Sequence, residues 1–398
     1  MPILFLIVFI NLLGFGLIIP LMPFYAVRLD VGAEIVTLTI AVYSFAQFIT
    51  APITGKLSDK YGRRPLLIWT LGGTVISYLI LSVADNLFLL MFARIFGGVM
   101  AGNIAAAYAY ATDISTNENR SKYMGMIGAA FGLGFIFGPV MGGWLAGPEV
   151  ATANYQLPAL VSAGLSLIAF LGVIFYLPES LKPEIRDESA AKPKVPLARQ
   201  LHMTFHGEIL AIYVAIGFLF VGSWALFEST FALWANLEFG YGPSRIGTVL
   251  SFVGIIGVIV QGGLIGPLTK RLGENHLLIS ALVISAIGYI LLANATSLTL
   301  LLIAMAVLAI ASGLFNPSIS SLVSKEANPS ERGFVLGVYQ GMSSLARVIG
   351  PAGAGFIFVN FGSNVPFMIG SILMFPSLIL SLFIIRHRRT TEMHSRRS

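Results

Sequence analysis

Cysteine is missing from all 398 residues, which excludes disulfides and thiolate chemistry with metals or redox partners. Histidine is scarce, with only His202, His206, His276, His387 and His394. Charge is scarce too: Asp, Glu, Lys and Arg make up 11% of the chain, against about 25% in a soluble globular protein. No stretch carries a His, Asp and Glu cluster or a nucleophile with its base, so no metal, cofactor or enzymatic activity is expected. A basic region is also absent from Met1-Pro-Ile-Leu-Phe, so the first apolar stretch reads as a retained span instead of a cleaved signal.

What is plentiful is apolar sequence, 56% of the chain. A membrane span needs roughly 20 mostly apolar residues. Such stretches are expected at 3–27, 35–57, 66–84, 87–112, 121–146, 156–177, 208–236, 244–268, 275–294, 297–323, 332–359 and 363–385. The fold class is therefore an all-α integral membrane protein with twelve transmembrane helices. All but four of the 24 Lys and Arg residues fall in alternate loops, the exceptions being Arg28, Arg245, Arg94 and Arg347. By the positive-inside rule those loops and both termini are cytoplasmic, in a cell inner membrane. The net charge of +6 is thus explained by topology and not by a nucleic-acid partner.

The one long linker, rich in Lys, Pro, Glu and Ala, divides the spans six and six. Expected domains are 1–177 and 208–386, two six-helix bundles, with the linker at 178–207 and a basic tail at 387–398. The halves are copies. Gly55-Lys-Leu-Ser-Asp-Lys-Tyr-Gly62 aligns with Gly266-Pro-Leu-Thr-Lys-Arg-Leu-Gly273 at a separation of 211 residues. At 212, Arg120 meets Arg332, Gly125 meets Gly337, Gly138-Pro139 meets Gly350-Pro351 and Gly143 meets Gly355. Parallel duplication about an axis along the membrane normal is the expected build.

Three groups of residues carry possible chemistry. In the turn after span 2, Gly55 permits close helix approach, Asp59 can accept from a neighbouring helix N-terminus, and Arg63 can reach a carboxylate. A solvated basic turn needed only for topology is the plainer alternative. In span 5, Gly128, Gly132, Gly134, Gly138-Pro139 and Gly142-Gly143 form a row that lets helices pack backbone to backbone in lipid. Inside the spans stand Arg94, Glu228 and Arg347, each costing at least about 2.5 kcal/mol at mid-depth unless it faces a cavity or a partner. Glu228 is the default proton carrier or, alternatively, a structural partner for an arginine; Arg347 reads as a helix-packing charge.

The run Gly55-Lys-Leu-Ser-Asp59-Lys-Tyr-Gly62-Arg63-Arg64-Pro65 resembles the signature loop of the major facilitator superfamily, and the resemblance extends over the whole chain. It implies the major facilitator fold and a latch made of Gly55, Asp59, Gly62, Arg63, Arg64 and Asp113. The pattern Gly134-x-x-x-Gly138-Pro139-x-x-Gly142-Gly143 is similar to the antiporter motif of exporters in this superfamily. With Arg347, Gly350 and Pro351 it implies packing between the halves, span 8 being the expected partner of span 5. Arg94-Ile-Phe-Gly-Gly98 is similar to the buried arginine motif associated with proton coupling.

In this superfamily spans 1, 4, 7 and 10 line the cavity, helped by 2, 5, 8 and 11. The resemblance therefore points to Asn11, Tyr43, Gln47, Asn103, Trp224, Phe231, Gln261, Asn316 and Gln340 as cavity residues. Glu228 and Arg94 are expected at similar depth from opposite halves. Within the superfamily the chain resembles twelve-span drug/proton antiporters, and Asn11-Leu-Leu-Gly14-Phe-Gly16-Leu-Ile-Ile-Pro20-Leu-Met-Pro23 resembles the first span of tetracycline exporters. It departs from that group at Asn11 and Ser285, where the group has aspartates, and in lacking its span-8 histidine.

The expectation is a monomeric transporter in lipid that exchanges protons for small amphipathic substrates, neutral or cationic, by alternating access. A metabolite or sugar exporter, coupled or uncoupled, and a receptor or scaffold of the same fold are the alternatives.

Overall fold

A computed structural model describes residues 1–116, 120–181, 208–326 and 332–395. Most of the expected linker and the last three residues of the tail lie outside the described residues. Within them, twelve helices are long and apolar enough to cross a membrane: Pro2–Tyr25, Ala33–Tyr61, Arg63–Ser82, Leu87–Asp113, Tyr123–Ala146, Gln156–Tyr176, Ile209–Phe239, Pro243–Leu272, Glu274–Ala293, Leu298–Glu326, Val335–Phe361 and Val365–Arg386. They are numbered spans 1 to 12 below, and they match the expected stretches one for one.

Four differences have local causes. Span 1 passes through a short tight turn at Ile19–Leu21, where Pro20 removes a backbone donor. Span 4 is broken into Leu87–Met100 and Asn103–Asp113. At the break Gly102 lies so close to span 2 that a methyl group there would meet Thr54 at 2.8 Å. Span 8 contains a π-helical turn, Val260–Leu264, beside Gly262 and Gly263. The helix of span 12 continues past the expected end at 385, to Ser395.

By its internal contacts the chain forms two compact units, Met1–Pro193 with Phe231–Gly254, and Lys194–Thr230 with Ile255–Ser398. The division thus differs from one drawn at the linker: Phe231–Gly254, the end of span 7 and the start of span 8, groups with the first unit. Ser251 Oγ donates to the Ile136 carbonyl at 2.5 Å, and Gly247 and Gly143 let the two backbones touch. The core of the first unit gathers Leu4, Ile7, Leu12, Leu66, Leu71, Ala107, Ala130 and Val173. That of the second gathers Tyr213, Phe220, Leu278, Leu282, Phe315, Ile319 and Tyr339.

Candidate functional site

The turn between spans 2 and 3 is built on Gly62, whose φ of 110° lies in the region that a side chain disfavours. This conformation ends span 2 and starts span 3 at Arg63 with no intervening loop. Arg63 then gathers three oxygens: its Nε donates to Asp113 Oδ2 at 3.0 Å, and one terminal nitrogen donates to Asp59 Oδ1 at 2.6 Å and Ser58 Oγ at 2.8 Å. Asp113, on the last turn of span 4, is 17% exposed against 58% for Asp59, so it is the better-shielded partner.

Two residues that sequence reasoning left in the linker complete this cluster. Glu179 accepts from the Arg63 and Arg64 backbone nitrogens at 2.9 and 3.1 Å, and Ser180 Oγ donates to Asp113 Oδ2 at 3.0 Å. Tyr110 OH donates to the Pro178 carbonyl at 2.9 Å and holds the segment in place. The available signal was Glu179 itself, an acid at the exit of span 6 in a region otherwise dominated by bases. Arg64 points elsewhere, donating to the Ile174 carbonyl at 2.7 Å. Gly55 lines a small cavity with Thr54, Ser58, Asp59 and Gly102. Among the described residues nothing lies within 4 Å of where a Gly55 Cβ would stand.

Deeper in the first unit, Arg94 is buried with its guanidinium carbon 4.2 Å from the centre of the Tyr43 ring. Its Nε donates to the Thr39 carbonyl at 3.4 Å. Span 4 can bring the charge this close because Gly98 packs on span 2: a methyl group at Gly98 would stand 2.3 Å from the Tyr43 carbonyl. Phe15 closes the cluster, 5.9 Å from Tyr43 and 6.4 Å from Phe135 between ring centres. Phe15 and Phe135 were not singled out from sequence, because aromatics are common on every span.

Glu228, in span 7, is exposed although Phe227, Ser229 and Thr230 around it are buried. No large apolar side chain of span 7 is exposed before Leu237, whereas span 6 exposes Leu160, Leu167, Ile168 and Phe175. A lipid-facing helix needs such a stripe, so Glu228 opens on a face turned away from lipid. Arg347 lies on span 11 of the same unit.

The glycine rows also sort themselves differently from expectation. Gly134, Gly138 and Gly142 face span 1: methyl groups there would lie 2.9 Å from Leu12, 2.6 Å from Gly16 and 2.1 Å from the Leu17 carbonyl. Only the neighbouring strip meets span 8, with Gly143 against the Pro243 carbonyl and the Pro139 carbonyl against Gly247. In the second unit Gly350 repeats the first pattern on span 7, against Ala225 and the Gly222 carbonyl, with Pro351 buried next to it. The reason is periodicity. Residues four apart share one helix face, and residues 139 and 143 are turned about 100° from it.

The softer cavity candidates divide by exposure. Asn11, Asn103 and Phe231 are buried, Phe231 against Trp234 at 6.2 Å between ring centres. Tyr43, Gln47 and Trp224 are half-buried, and Gln261, Asn316 and Gln340 are exposed. Among the described residues no group of three or more His, Asp and Glu could hold a metal ion.

Comparison with known proteins is consistent along the chain. The profile described as Major Facilitator Superfamily matches residues 4–275 and 262–397. Multidrug resistance protein 2 of Bacillus subtilis (strain 168) is 31% identical over 384 residues, covering 94% of this chain and 92% of that protein. Tetracycline resistance protein, class C, of Escherichia coli is 30% identical over 350 residues, covering 86% and 85%. A bacterial homolog to the human lysosomal transporter Spinster shares the fold, with a TM-score of 0.78 over 96% of each chain at 14% identity.

Proposed function

The chain belongs to the major facilitator superfamily, and from that premise we propose that it exports small amphipathic compounds, neutral or cationic, in exchange for protons. Export proceeds by alternating access across the inner membrane, with both termini and the Arg63 turn on the cytoplasmic side. Relatives named for multidrug and tetracycline resistance support efflux over uptake. Asn11, Ser285 and the missing span-8 histidine argue against tetracycline itself as the solute.

The observation that supports the proton half of this reading is Glu228, an exposed acid on a span that exposes no large apolar side chain before Leu237. A carboxylate's hold on its proton depends on its burial and on its distance from a guanidinium. Any movement that changes the separation of Glu228 and Arg347 would therefore change proton affinity, and a cationic solute could take the arginine's part and expel the proton. Aromatic faces at Phe15, Tyr43 and Phe135 suit a lipophilic solute.

The test is purified protein in liposomes under an imposed pH gradient, screened with cationic and neutral dyes. Glu228→Gln is expected to abolish gradient-driven accumulation while leaving substrate binding or downhill exchange partly intact. Full accumulation by that variant sinks the assignment of Glu228 as the proton carrier.

A further inference from the structure

Span 7 meets four neighbours within the second unit, and they account for most of its surface. Gly222 lies against Ala346 of span 11, and Gly350 of span 11 lies against Ala225 and the Gly222 carbonyl. Ser223 Oγ donates to the Gly370 carbonyl of span 12 at 3.0 Å. Phe227 packs on Tyr289 of span 9 and Phe367 of span 12, and Phe220 stacks on Phe315 of span 10. In the stretch 221–230 every residue is buried except Gly222, Trp224 and Glu228. Trp224 and Glu228 are four residues apart and so share one strip of the helix, left open between the sides taken by spans 10 and 11. Phe227 braces the Trp224 ring edge-on, with ring centres 5.3 Å apart.

Span 11 sets a base beside this strip. Ala346 and Gly350 face span 7; at about 100° per residue, Arg347 is turned to one flank of that contact and Ile349 to the other. Ile349 and Phe356 are exposed apolar residues and mark the lipid side. Arg347 is exposed on the opposite flank, which it shares with Gln340 seven residues before it. Span 7 exposes no large apolar side chain before Leu237, so its open strip lies on the flank of Arg347. Spans 7 and 11 run in the same direction. With their contacts as level marks, Glu228 stands about five or six residues beyond Arg347, an axial offset of about 8 Å, and Trp224 stands between them. Neither Glu228 nor Arg347 takes part in an ion pair among the described residues. An acid and a base left unpaired inside membrane spans call for a cavity or a ligand that satisfies them.

We propose that Trp224, Glu228 and Arg347 form one binding site for amphipathic zwitterions. The Glu228 carboxylate takes the cationic group of the solute, the Arg347 guanidinium takes its carboxylate through paired N–H donors, and the indole face carries the flat body between them. The inference rests on the transport reading above and narrows its neutral solutes to those that carry both charges. The axial offset favours solutes whose charges stand on different parts of the molecule over α-amino acids, whose charges flank one carbon. A purely cationic solute leaves Arg347 unmatched, and a purely anionic one leaves Glu228 unmatched.

Three dyes on one xanthene scaffold separate the two charges. Rhodamine B carries a cationic ring system and a carboxylate, its ethyl ester keeps only the cation, and fluorescein keeps the carboxylate without a cationic ring. Binding to the purified full chain at neutral pH is read by fluorescence anisotropy. Rhodamine B is expected to bind at least about tenfold tighter than either of the others, since a charge-assisted contact is lost with each. R347Q is expected to bring the affinity ratio of rhodamine B to its ester close to one, and E228Q the ratio of rhodamine B to fluorescein. W224L is expected to weaken rhodamine B about threefold or more while both ratios persist. R347K, which keeps the charge without the fork, is expected to fall between R347Q and the parent.

The parent chain alone can overturn the proposal, by binding rhodamine B no tighter than the ester or by not binding it at all. R347Q or E228Q with the parent's ratios would overturn it as well. Where a glutamine variant does not accumulate in the membrane, R347K or E228D takes its place, and an unchanged ratio counts in the same way. A parent that moves no dye of the liposome panel counts against the transport reading itself. A transporting parent with any overturning result counts only against the zwitterion site.

Discussion

Arg94 rests on the face of Tyr43, its guanidinium carbon 4.2 Å from the ring centre, with the Thr39 carbonyl at 3.4 Å from its Nε. A buried cation held by a ring quadrupole and one carbonyl depends on that ring more than an ion-paired arginine would. Such a contact is worth about 2 kcal/mol when desolvated. Tyr43→Phe keeps the ring and is expected to transport within about twofold of the parent, whereas Tyr43→Leu removes it and is expected to lose about tenfold or more. Initial rates in liposomes, normalised to inserted protein, distinguish the two; equal behaviour of Phe and Leu would mean that the ring face contributes nothing.

The two acids around Arg63 differ in shielding, 17% exposed for Asp113 against 58% for Asp59. Charge-assisted hydrogen bonds contribute about 1.5–3 kcal/mol when shielded, and exposed ion pairs about 0–1. Asp113→Asn should therefore reduce transport more than Asp59→Asn, with membrane expression largely preserved in both. The reverse order, or normal transport by both, would leave the turn as a topology signal only.

Glu179 caps the start of span 3 through two backbone nitrogens. Losing a helix cap costs about 1 kcal/mol, which for a unit of this size lowers the melting temperature by about 2–4 °C. Glu179→Gln is expected to show that loss in a detergent melting curve, and Glu179→Asp, too short by one methylene to reach both nitrogens, is expected to fall between Gln and the parent. A Gln variant that melts with the parent would mean the cap is solvated and immaterial.

Glycines of span 5 should separate cleanly in a methyl scan. At Gly142 a methyl group would sit 2.1 Å from the Leu17 carbonyl and at Gly143 2.5 Å from the Pro243 carbonyl, while Gly128 has nothing within 4 Å. Overpacking of this kind costs about 1–3 kcal/mol or more. Gly142→Ala and Gly143→Ala are expected to lower thermal stability and transport, and Gly128→Ala to do neither. Tolerance at Gly142 would mean that span 1 can shift away from span 5.

Most of the fold was legible because lipid imposes a rule that composition cannot hide: every crossing needs a long apolar stretch, and charges collect in the gaps. All twelve spans, the duplication and the Arg63 turn follow from that rule and from the spacing of Gly, Pro and Arg. Arg63 with Asp59 was legible because they lie four residues apart at a forced turn, whereas Asp113 was reached only through the family resemblance.

The partners of the buried charges were not legible. Which way Glu228 faces depends on the rotation of span 7 about its axis, which is set where Gly350 of span 11 meets Ala225 and the Gly222 carbonyl. A helix tolerates many rotations by its own hydrogen bonds, so only packing against a neighbour chooses one. The same holds for Glu179, whose reach to span 3 depends on where the chain leaves span 6. Sequence alone determined the number of spans, their repeat and the identity of the few charges inside them. The tertiary structure decided which of those charges meet, because side-chain direction on a membrane helix is fixed by close contacts between helices and not by the hydrophobic pattern along any one of them.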